Sequence, residues 1–177
     1  MAVLPILIAG DPVLHSPAAP VTVDVWADFH CPHCAEFEET YGPILADAVA
    51  AGTVQLRTYP LAFVDAGSRA ASNAYACAAA AGYAEPYYTA LFANSELRWS
   101  EHQLTLLFEQ LTGSPSTDFR ACVADRRYDG WVTSLDGAAD QAGVSSTPTL
   151  VVDGTSVDVS TLTPTTLTNT LDKAAQQ

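Results

Sequence analysis

The sequence predicts an α/β fold in which a block of helices interrupts a single sheet. Two segments, VTVDVWADF at 21–29 and VQLRTYPLAF at 54–63, have the alternation and the β-branched and aromatic content of strands. The segment between them carries apolar residues at helical spacing and is followed by Gly52, which is typical of a helix end. This strand–helix–strand order predicts a βαβ unit with parallel strands and a right-handed crossover.

The rest of the chain predicts helices first and strands later. Residues 65–143 are alanine-rich and punctuated by glycine and proline, so we expect four or five short helices there. One of them is expected to begin at Ser116 or Thr117, which are good N-cap residues. At 147–159 an Asp-Gly pair between two strand-like runs predicts a β-hairpin. A terminal helix follows, with Pro164 near its first turn.

Strand segments therefore lie on both sides of the helical block. We expect residues 1–64 and 144–177 to form one α/β domain, with residues 65–143 as a helical subdomain inserted into it. The apolar start, MAVLPILIAG, is predicted to be a further strand. It lacks the positive leading region of an export signal, and Pro5 interrupts it.

The charge of the chain excludes several classes of partner. It has 20 acidic residues against 7 lysines and arginines, a formal net charge of −13. Nucleic acid would be repelled by this balance, and the sequence has no basic stripe with interleaved aromatic residues. No apolar run approaches the roughly 18 residues that a membrane-spanning helix needs. We therefore expect a globular protein that has no nucleic-acid partner.

The motif DFHCPHC places two cysteines where the 21–29 strand ends and a helix begins. Pro32 suits the first helical position because it has no N–H group to leave unpaired. Cys31 is then the expected N-cap, and Cys34 lies one turn later on the same face. Unpaired N–H groups and the helix dipole favour a thiolate at Cys31, and His33 adds a donor or a positive charge. We expect the pKa of Cys31 to fall into the range of roughly 3.5–7.5.

A stabilised thiolate predicts the direction of the redox reaction between this pair and other thiols. It favours the dithiol over the disulfide, and it makes Cys31 a good leaving group from a mixed disulfide. The pair is therefore predicted to be an oxidant that donates its disulfide to other thiols. A substrate thiolate would attack Cys31, and Cys34 would leave.

Three features resemble the DsbA-like thiol-disulfide oxidoreductases of the thioredoxin superfamily: DVWADFHCPHC at a strand end, the inserted helical block, and STPTL before the late hairpin. The resemblance covers residues 20–175 in element order and implies a thioredoxin fold with an inserted helical subdomain. It implies that Cys31 is the exposed attacking cysteine and Cys34 the buried resolving one. Pro32 and His33 complete the catalytic motif, and His33 matches the residue that stabilises the thiolate.

The resemblance extends to a second loop. Thr147 and Pro148 match a cis-proline loop, which in this family lies against the active-site sulfurs and pairs its backbone with the substrate chain. An ordinary trans proline at a strand edge is the alternative. His30, which precedes Cys31, either assists the thiolate and the substrate or is simply exposed.

The family implies an oxidase that donates the Cys31–Cys34 disulfide to reduced, cysteine-containing exported proteins. A membrane oxidase would recycle the pair. The protein would act outside the cytoplasm, either exported or anchored through a segment outside this chain. We expect a monomer that needs no cofactor.

The chain departs from the family pattern at the proton path. Many members carry a buried acid six residues before the first cysteine, where this chain has Val25. Asp24 is expected to face the opposite side of the strand, and Asp28 would raise the energy of the thiolate if it came close. A solvated first helical turn is expected to hold Glu36, Glu38 and Glu39.

The other two cysteines, Cys77 and Cys122, are far apart in the sequence. We predict that they form a structural disulfide between two helices, worth roughly 4 kcal/mol in the chain-entropy model. Two small buried thiols, or a second redox pair, are the alternatives. A structural disulfide would imply an oxidising compartment.

Zinc is the strongest alternative at Cys31 and Cys34, because Cys-Pro-x-Cys also occurs in zinc knuckles. Zinc prefers four ligands, usually from a second close pair. Cys77 and Cys122 stand apart, so we expect no metal. The alternative functions are a reductase or isomerase of the same fold and a zinc-stabilised binding module.

Overall fold

The computed structural model describes residues 13–15 and 18–177. The strands in this part are β1 (Val13–His15), β2 (Val21–Ala27), β3 (Val54–Pro60), β4 (Thr149–Val152) and β5 (Thr155–Val157). These described strands form one sheet in the order β1-β3-β2-β4-β5. β2 and β3 are parallel, whereas the other neighbouring pairs are antiparallel. The strand predicted for MAVLPILIAG lies outside the described residues.

The predicted βαβ unit is confirmed. β2 and β3 are joined by α1 (Pro32–Ala50), which continues past Pro43 and is followed by Gly52 in the left-handed region at φ 72°. β2 lies between β3 and β4, and six of its seven residues are buried, the charged Asp24 among them. Trp26 stacks on Tyr59, its register partner in β3, at a ring-centroid distance of 3.7 Å.

Both strands of this unit end earlier than the sequence predicts. The backbone N–H of Leu61 still donates to Ala27, at 2.8 Å. The N–H groups of Phe63 and Val64 instead donate to the carboxylate of Asp28, at 2.8 and 2.9 Å. The Asp28 side chain thus accepts hydrogen bonds that a neighbouring strand would otherwise accept, and β3 ends before this point. The alternation of residues along the sequence gives no sign of this contact.

Helices occupy the described chain between β3 and β4, as expected. They are α2 (Ala66–Ala80), α3 (Ala84–Ala93), α4 (Glu101–Thr112), α5 (Thr117–Ala124) and α6 (Asp129–Ala142), with a short 3₁₀ turn at Ser95–Leu97. Ser116 caps α5 by accepting from the N–H of Phe119 at 3.1 Å, as predicted. The division of the chain into two domains stays a prediction.

α2 is the helix around which this block packs. Its alanines Ala71, Ala74 and Ala78 are fully buried, and such small side chains let neighbouring helices approach closely. A disulfide joins Cys77 of α2 to Cys122 of α5, with the Cα atoms 6.0 Å apart.

The chain ends with the predicted hairpin and helix. Asp153 and Gly154 connect β4 and β5 with φ of 46° and 77°, as a tight Asp-Gly turn requires. The last helix, α7 (Pro164–Ala174), buries Leu167 and Leu171. None of the helices in the described part of the chain is both long and apolar enough to cross a membrane.

Candidate active site

The two cysteines of the motif lie where β2 gives way to α1. Cys31 is the N-cap, with extended backbone at φ −83° and ψ 116°, and Pro32 occupies the first turn, as the sequence predicts. Both cysteines are free thiols. Cys34 is fully buried, and Cys31 is 7% exposed, so the attacking cysteine is less exposed than the resemblance implies.

The surroundings of Cys31 favour its thiolate. Its pKa falls from the ordinary value of 9.0 to about 5, chiefly because the Cys34 side chain hydrogen bonds to it. Burial opposes this change. A hydrogen bond from the Thr147 side chain adds to the lowering, as do the backbone N–H groups of Cys34 and His33. The helix terminus therefore adds to the lowering through nearby N–H groups, although the Cys31 side chain makes no capping hydrogen bond.

Cys34 shows the opposite behaviour. Its hydrogen bond to Cys31 and its burial hold its pKa well above the ordinary value of 9.0. The backbone N–H of Asp28 lies 3.5 Å from its sulfur. In the reduced pair the Cys34 thiol thus keeps its proton and donates a hydrogen bond to the Cys31 thiolate.

The loop before β4 completes the wall around these sulfurs. The Thr147–Pro148 peptide bond is cis, and the Thr147 carbonyl oxygen lies 3.5 Å from the Cys31 sulfur. Thr149 pairs with Trp26 near the end of β2, which brings this loop to the β2–α1 junction. The structure therefore brings together Cys31, Cys34, Thr147 and Pro148.

His33 is placed differently from the expectation. Its side chain is 79% exposed, and its Nδ1 faces the Glu36 carboxylate at 3.4 Å. The contact that reaches Cys31 comes from the His33 backbone N–H group. A contribution of the imidazole itself stays a prediction.

His30 is buried, so the alternative that it is simply exposed is wrong. Its Nδ1 lies 2.7 Å from Asp65, the N-cap of α2, and Arg98 donates to the same carboxylate at 2.6 Å. A Cβ atom at Gly67 would meet the ring at 2.4 Å, so the glycine permits this close packing. Asp65 is a missed residue, because the sequence contains no signal for a partner so distant. A substrate contact by His30 stays a prediction.

Asp28 is a second residue whose contacts the sequence did not indicate. Its side chain is fully buried, and its carboxylate accepts the N–H of His30 at 2.8 Å besides those of Phe63 and Val64. It therefore braces the start of the motif through backbone donors. Asp24 pairs with Arg57, with Nη2 and Oδ2 2.6 Å apart.

Metal-ligating side chains do not cluster within the described part of the chain. Among residues 18–177, no three or more histidine, cysteine, aspartate and glutamate side chains come together as a metal ligand set. The cysteine pair lies beside a backbone carbonyl and its own helix terminus. This geometry fits thiol chemistry.

Comparisons with solved structures confirm the predicted fold. The chain is similar to reduced DsbA from Mycobacterium tuberculosis, with 22% identity, a TM-score of 0.76, and 95% of this chain and 94% of that chain covered. It is similar to oxidised BdbD from Bacillus subtilis, with 20% identity, a TM-score of 0.81, and coverage of 96% and 98%. The MdbA protein from Actinomyces oris, a thiol-disulfide oxidoreductase, gives 20% identity, a TM-score of 0.80, and coverage of 98% and 93%.

Sequence comparison gives two further matches. A curated relative, the Na⁺/H⁺ antiporter NhaA 3 of Salinispora tropica, is 34% identical over 137 residues, which are 77% of this chain and 20% of that protein. This chain thus spans about a fifth of that relative's length. A family model described as thioredoxin matches residues 9–173. Because this match includes nearly all of the chain, the protein belongs to the thioredoxin family.

Proposed function

We propose that this protein is a thiol-disulfide oxidoreductase that acts as a dithiol oxidase. It donates the Cys31–Cys34 disulfide to reduced, cysteine-containing client proteins. The observation that carries the proposal is the contrast within the pair, in which the pKa of Cys31 is lowered to about 5 while Cys34 is fully buried. The similar protein from Actinomyces oris, described as a thiol-disulfide oxidoreductase, supports the same class of reaction.

The reaction proceeds by two displacements. A client thiolate attacks the Cys31 sulfur, the Cys31–Cys34 bond breaks, and its electron pair goes to Cys34. A second client thiolate then attacks the client sulfur of the mixed disulfide and releases Cys31 as a thiolate. Two electrons pass from the client sulfurs to the pair, and the low pKa of Cys31 makes it a good leaving group. The Thr147–Pro148 loop, beside the Cys31 sulfur, is the expected docking site for the client backbone.

The low pKa also favours oxidase over reductase activity. Because the pKa of Cys31 is depressed in the folded reduced protein, the thiolate's contribution to stability is fully present above about pH 9 and is lost as the pH falls through about 5. The oxidised protein has no such contribution. We expect the reduced form to melt at the higher temperature near neutral pH, with the difference narrowing towards pH 5.

The cellular setting is part of the proposal. The Cys77–Cys122 disulfide supports a location outside the cytoplasm, because such bonds persist in oxidising compartments. A membrane oxidase would have to reoxidise the pair, and the similarity to part of an antiporter supports a place at the membrane. We expect the protein to work as a monomer.

Trapping of a mixed disulfide tests the reaction. Cys34→Ala, mixed with a client peptide whose cysteine is activated as a disulfide with glutathione, should accumulate a mixed disulfide through Cys31, with reduced glutathione as the leaving group, whereas Cys31→Ala should form none. If neither substitution alters oxidation of the peptide, the proposal fails.

The reduction potential distinguishes the oxidase from its alternatives. We expect a value more oxidising than about −180 mV, the level of protein disulfide isomerase. A value near −270 mV, the level of thioredoxin, would indicate a reductase. A bound equivalent of zinc with thiols inert to alkylation would indicate the binding module.

A further inference from the structure

A cavity of about 860 Å³ lies between α1 and α3, beside the active-site helix. Val25 of β2 and Thr58 of β3 line it from the sheet, and Glu38 and Tyr88 line it from the two helices. Exposed residues such as Glu39 lie at its edge, so it opens to solvent. The cavity is large and polar enough to hold water.

Glu38 is the acid that lies deepest in this setting. Its Oε1 accepts a hydrogen bond from the Tyr88 hydroxyl at 2.7 Å, and the side chain is half-buried instead of solvated as the sequence predicts. Burial raises its pKa to about 7, against the opposing effect of the Tyr88 hydrogen bond. Glu38 is therefore able to release and take up a proton near neutral pH.

Tyr88 connects this carboxyl to the active site. Its ring packs edge-on against Phe29, at a centroid distance of 5.5 Å, within the motif that leads to the cysteines. Burial is the main cause that raises the pKa of its hydroxyl, and the charges of Glu38 and Cys34 raise it further. Glu38 follows Cys34 by one helical turn in α1, so the two side chains lie on the same face of the helix. The Tyr88 hydroxyl that hydrogen bonds to Glu38 also responds to the charge of Cys34.

Cys34 needs a group that can supply it with a proton, because its sulfur is fully buried. When its bond to Cys31 breaks, it becomes a thiolate in a place where charge is costly. The other acids of β2 and its end are already engaged, since Asp28 accepts three backbone N–H groups and Asp24 pairs with Arg57.

We propose that Glu38 is the proton-exchange group for Cys34 and that Tyr88 positions its carboxyl and links it to the sulfur. This inference rests on the proposed function. As the client thiolate bonds to Cys31, the electron pair of the broken disulfide goes to Cys34, which takes up the proton that the Glu38 carboxyl releases. Glu38 then regains a proton from solvent through the cavity. Reoxidation of the pair runs the same transfer backwards.

Other charged groups around Glu38 have the same sign. The acidic residues that line the cavity with it are Glu36, Glu39, Glu85 and Glu96, and no lysine, arginine or histidine is among its described lining residues. From α2, Tyr75 faces it, and its hydroxyl pairs with Thr58 at 3.0 Å. Like charges favour the protonated carboxyl, so this environment reinforces the role of Glu38 as a proton donor.

The test is the pH dependence of disulfide reduction by glutathione. The oxidised protein is mixed with glutathione, the appearance of the Cys31–glutathione mixed disulfide is followed by mass in acid-quenched samples, and each rate is divided by the glutathione thiolate concentration. From about pH 6 to about pH 8 this rate constant should fall about tenfold, because the protonated fraction of a carboxyl with a pKa of about 7 falls by that factor. Glu38→Gln should flatten the profile, as should Tyr88→Phe, which keeps the ring.

Matched variants make the result specific. Glu39→Gln removes the neighbouring, exposed charge of α1 and should keep the fall of the rate constant with pH, with its midpoint moved only slightly towards lower pH. Val25 lines the same cavity. The double variant Val25→Glu/Glu38→Gln places a carboxyl there again, so it should recover part of the pH dependence. Melting curves establish that each variant is folded. If Glu38→Gln does not fold, the profile of Tyr88→Phe decides.

The outcomes separate the two proposals. If the wild-type disulfide does not exchange with glutathione at all, the proposed function itself is wrong. If it exchanges but the Glu38→Gln and Tyr88→Phe profiles match the wild type, the oxidoreductase stands and the role of Glu38 is overturned.

Discussion

The molecule contains two cysteine pairs that are equally buried and chemically opposite. Cys31 and Cys34 are 7% and 0% exposed, and Cys77 and Cys122 are 4% and 5% exposed. The first pair is a free dithiol, and the second is a disulfide. Burial therefore does not decide which sulfurs are reactive.

The difference lies in the backbone around each pair. Cys31 occupies the N-cap of α1, where the backbone N–H groups of His33 and Cys34 lie near its sulfur. Cys77 and Cys122 lie inside α2 and α5, where helical bonding leaves the N–H groups no such freedom. Position along a helix thus separates a reactive pair from a structural one.

Substitution of single cysteines gives the largest expected effect. Cys31→Ser should reduce thiol-disulfide exchange with a client peptide to the uncatalysed rate, because no nucleophile of low pKa remains. The double variant Cys77→Ala/Cys122→Ala should exchange at the wild-type rate while it stays folded. Equal losses in both variants would show that the two pairs do not differ in role.

Removal of the structural pair should act on stability instead. The bonded residues are 45 positions apart, and by the chain-entropy model such a loop contributes roughly 4 kcal/mol. Cys77→Ala/Cys122→Ala should therefore lower the free energy of unfolding by about that amount in a denaturant titration. A loss below about 1 kcal/mol would mean that the disulfide constrains little.

A smaller loss of stability is expected when Asp28, which accepts backbone hydrogen bonds at the start of the motif, is replaced. Asp28→Asn exchanges one acceptor oxygen for a donor that faces buried backbone N–H groups, which should cost about 2 kcal/mol in unfolding free energy. Asp172→Asn, at an exposed position of α7, is the matched control and should change little. If the two variants are equally stable, the Asp28 contacts do not brace the motif.

The smallest effect is expected at His33. Because its imidazole is exposed and faces Glu36, its charge is screened from the sulfur by water. His33→Ala keeps the backbone N–H and should raise the pKa of Cys31 by less than about one unit, as measured by the pH dependence of alkylation. A rise of more than about two units would assign the thiolate's stability to the imidazole and not to the helix terminus.

Local features of the fold were predictable from the sequence. Pro32 indicated the start of α1, Ser116 the start of α5, and the Asp-Gly pair the hairpin. Each depends on residues within one turn of each other. The ends of β2 and β3 were not predictable, because the capture of Phe63 and Val64 by Asp28 depends on contacts across 35 and 36 positions.

The same distinction applies to the site. The N-cap position of Cys31 was predictable from its immediate neighbours, and in the structure Cys31 is the N-cap of α1. The surroundings of His30 and Glu38 do not follow, because Asp65 and Tyr88 reach them from α2 and α3. Helical periodicity places Glu38 on the surface of α1, but α3 packs over that surface and half-buries the carboxyl.

The ionisation of Cys31 is the most direct test of this account. In the reduced protein, the rate of alkylation of Cys31 should follow a single titration with a pKa of about 5, so that the thiolate dominates at neutral pH. Cys34, fully buried and holding its proton, should react far more slowly at the same pH. A titration of Cys31 near the ordinary value of 9.0 would contradict the account, because the sulfur would then gain nothing from the Cys34 hydrogen bond or from its place at the helix terminus.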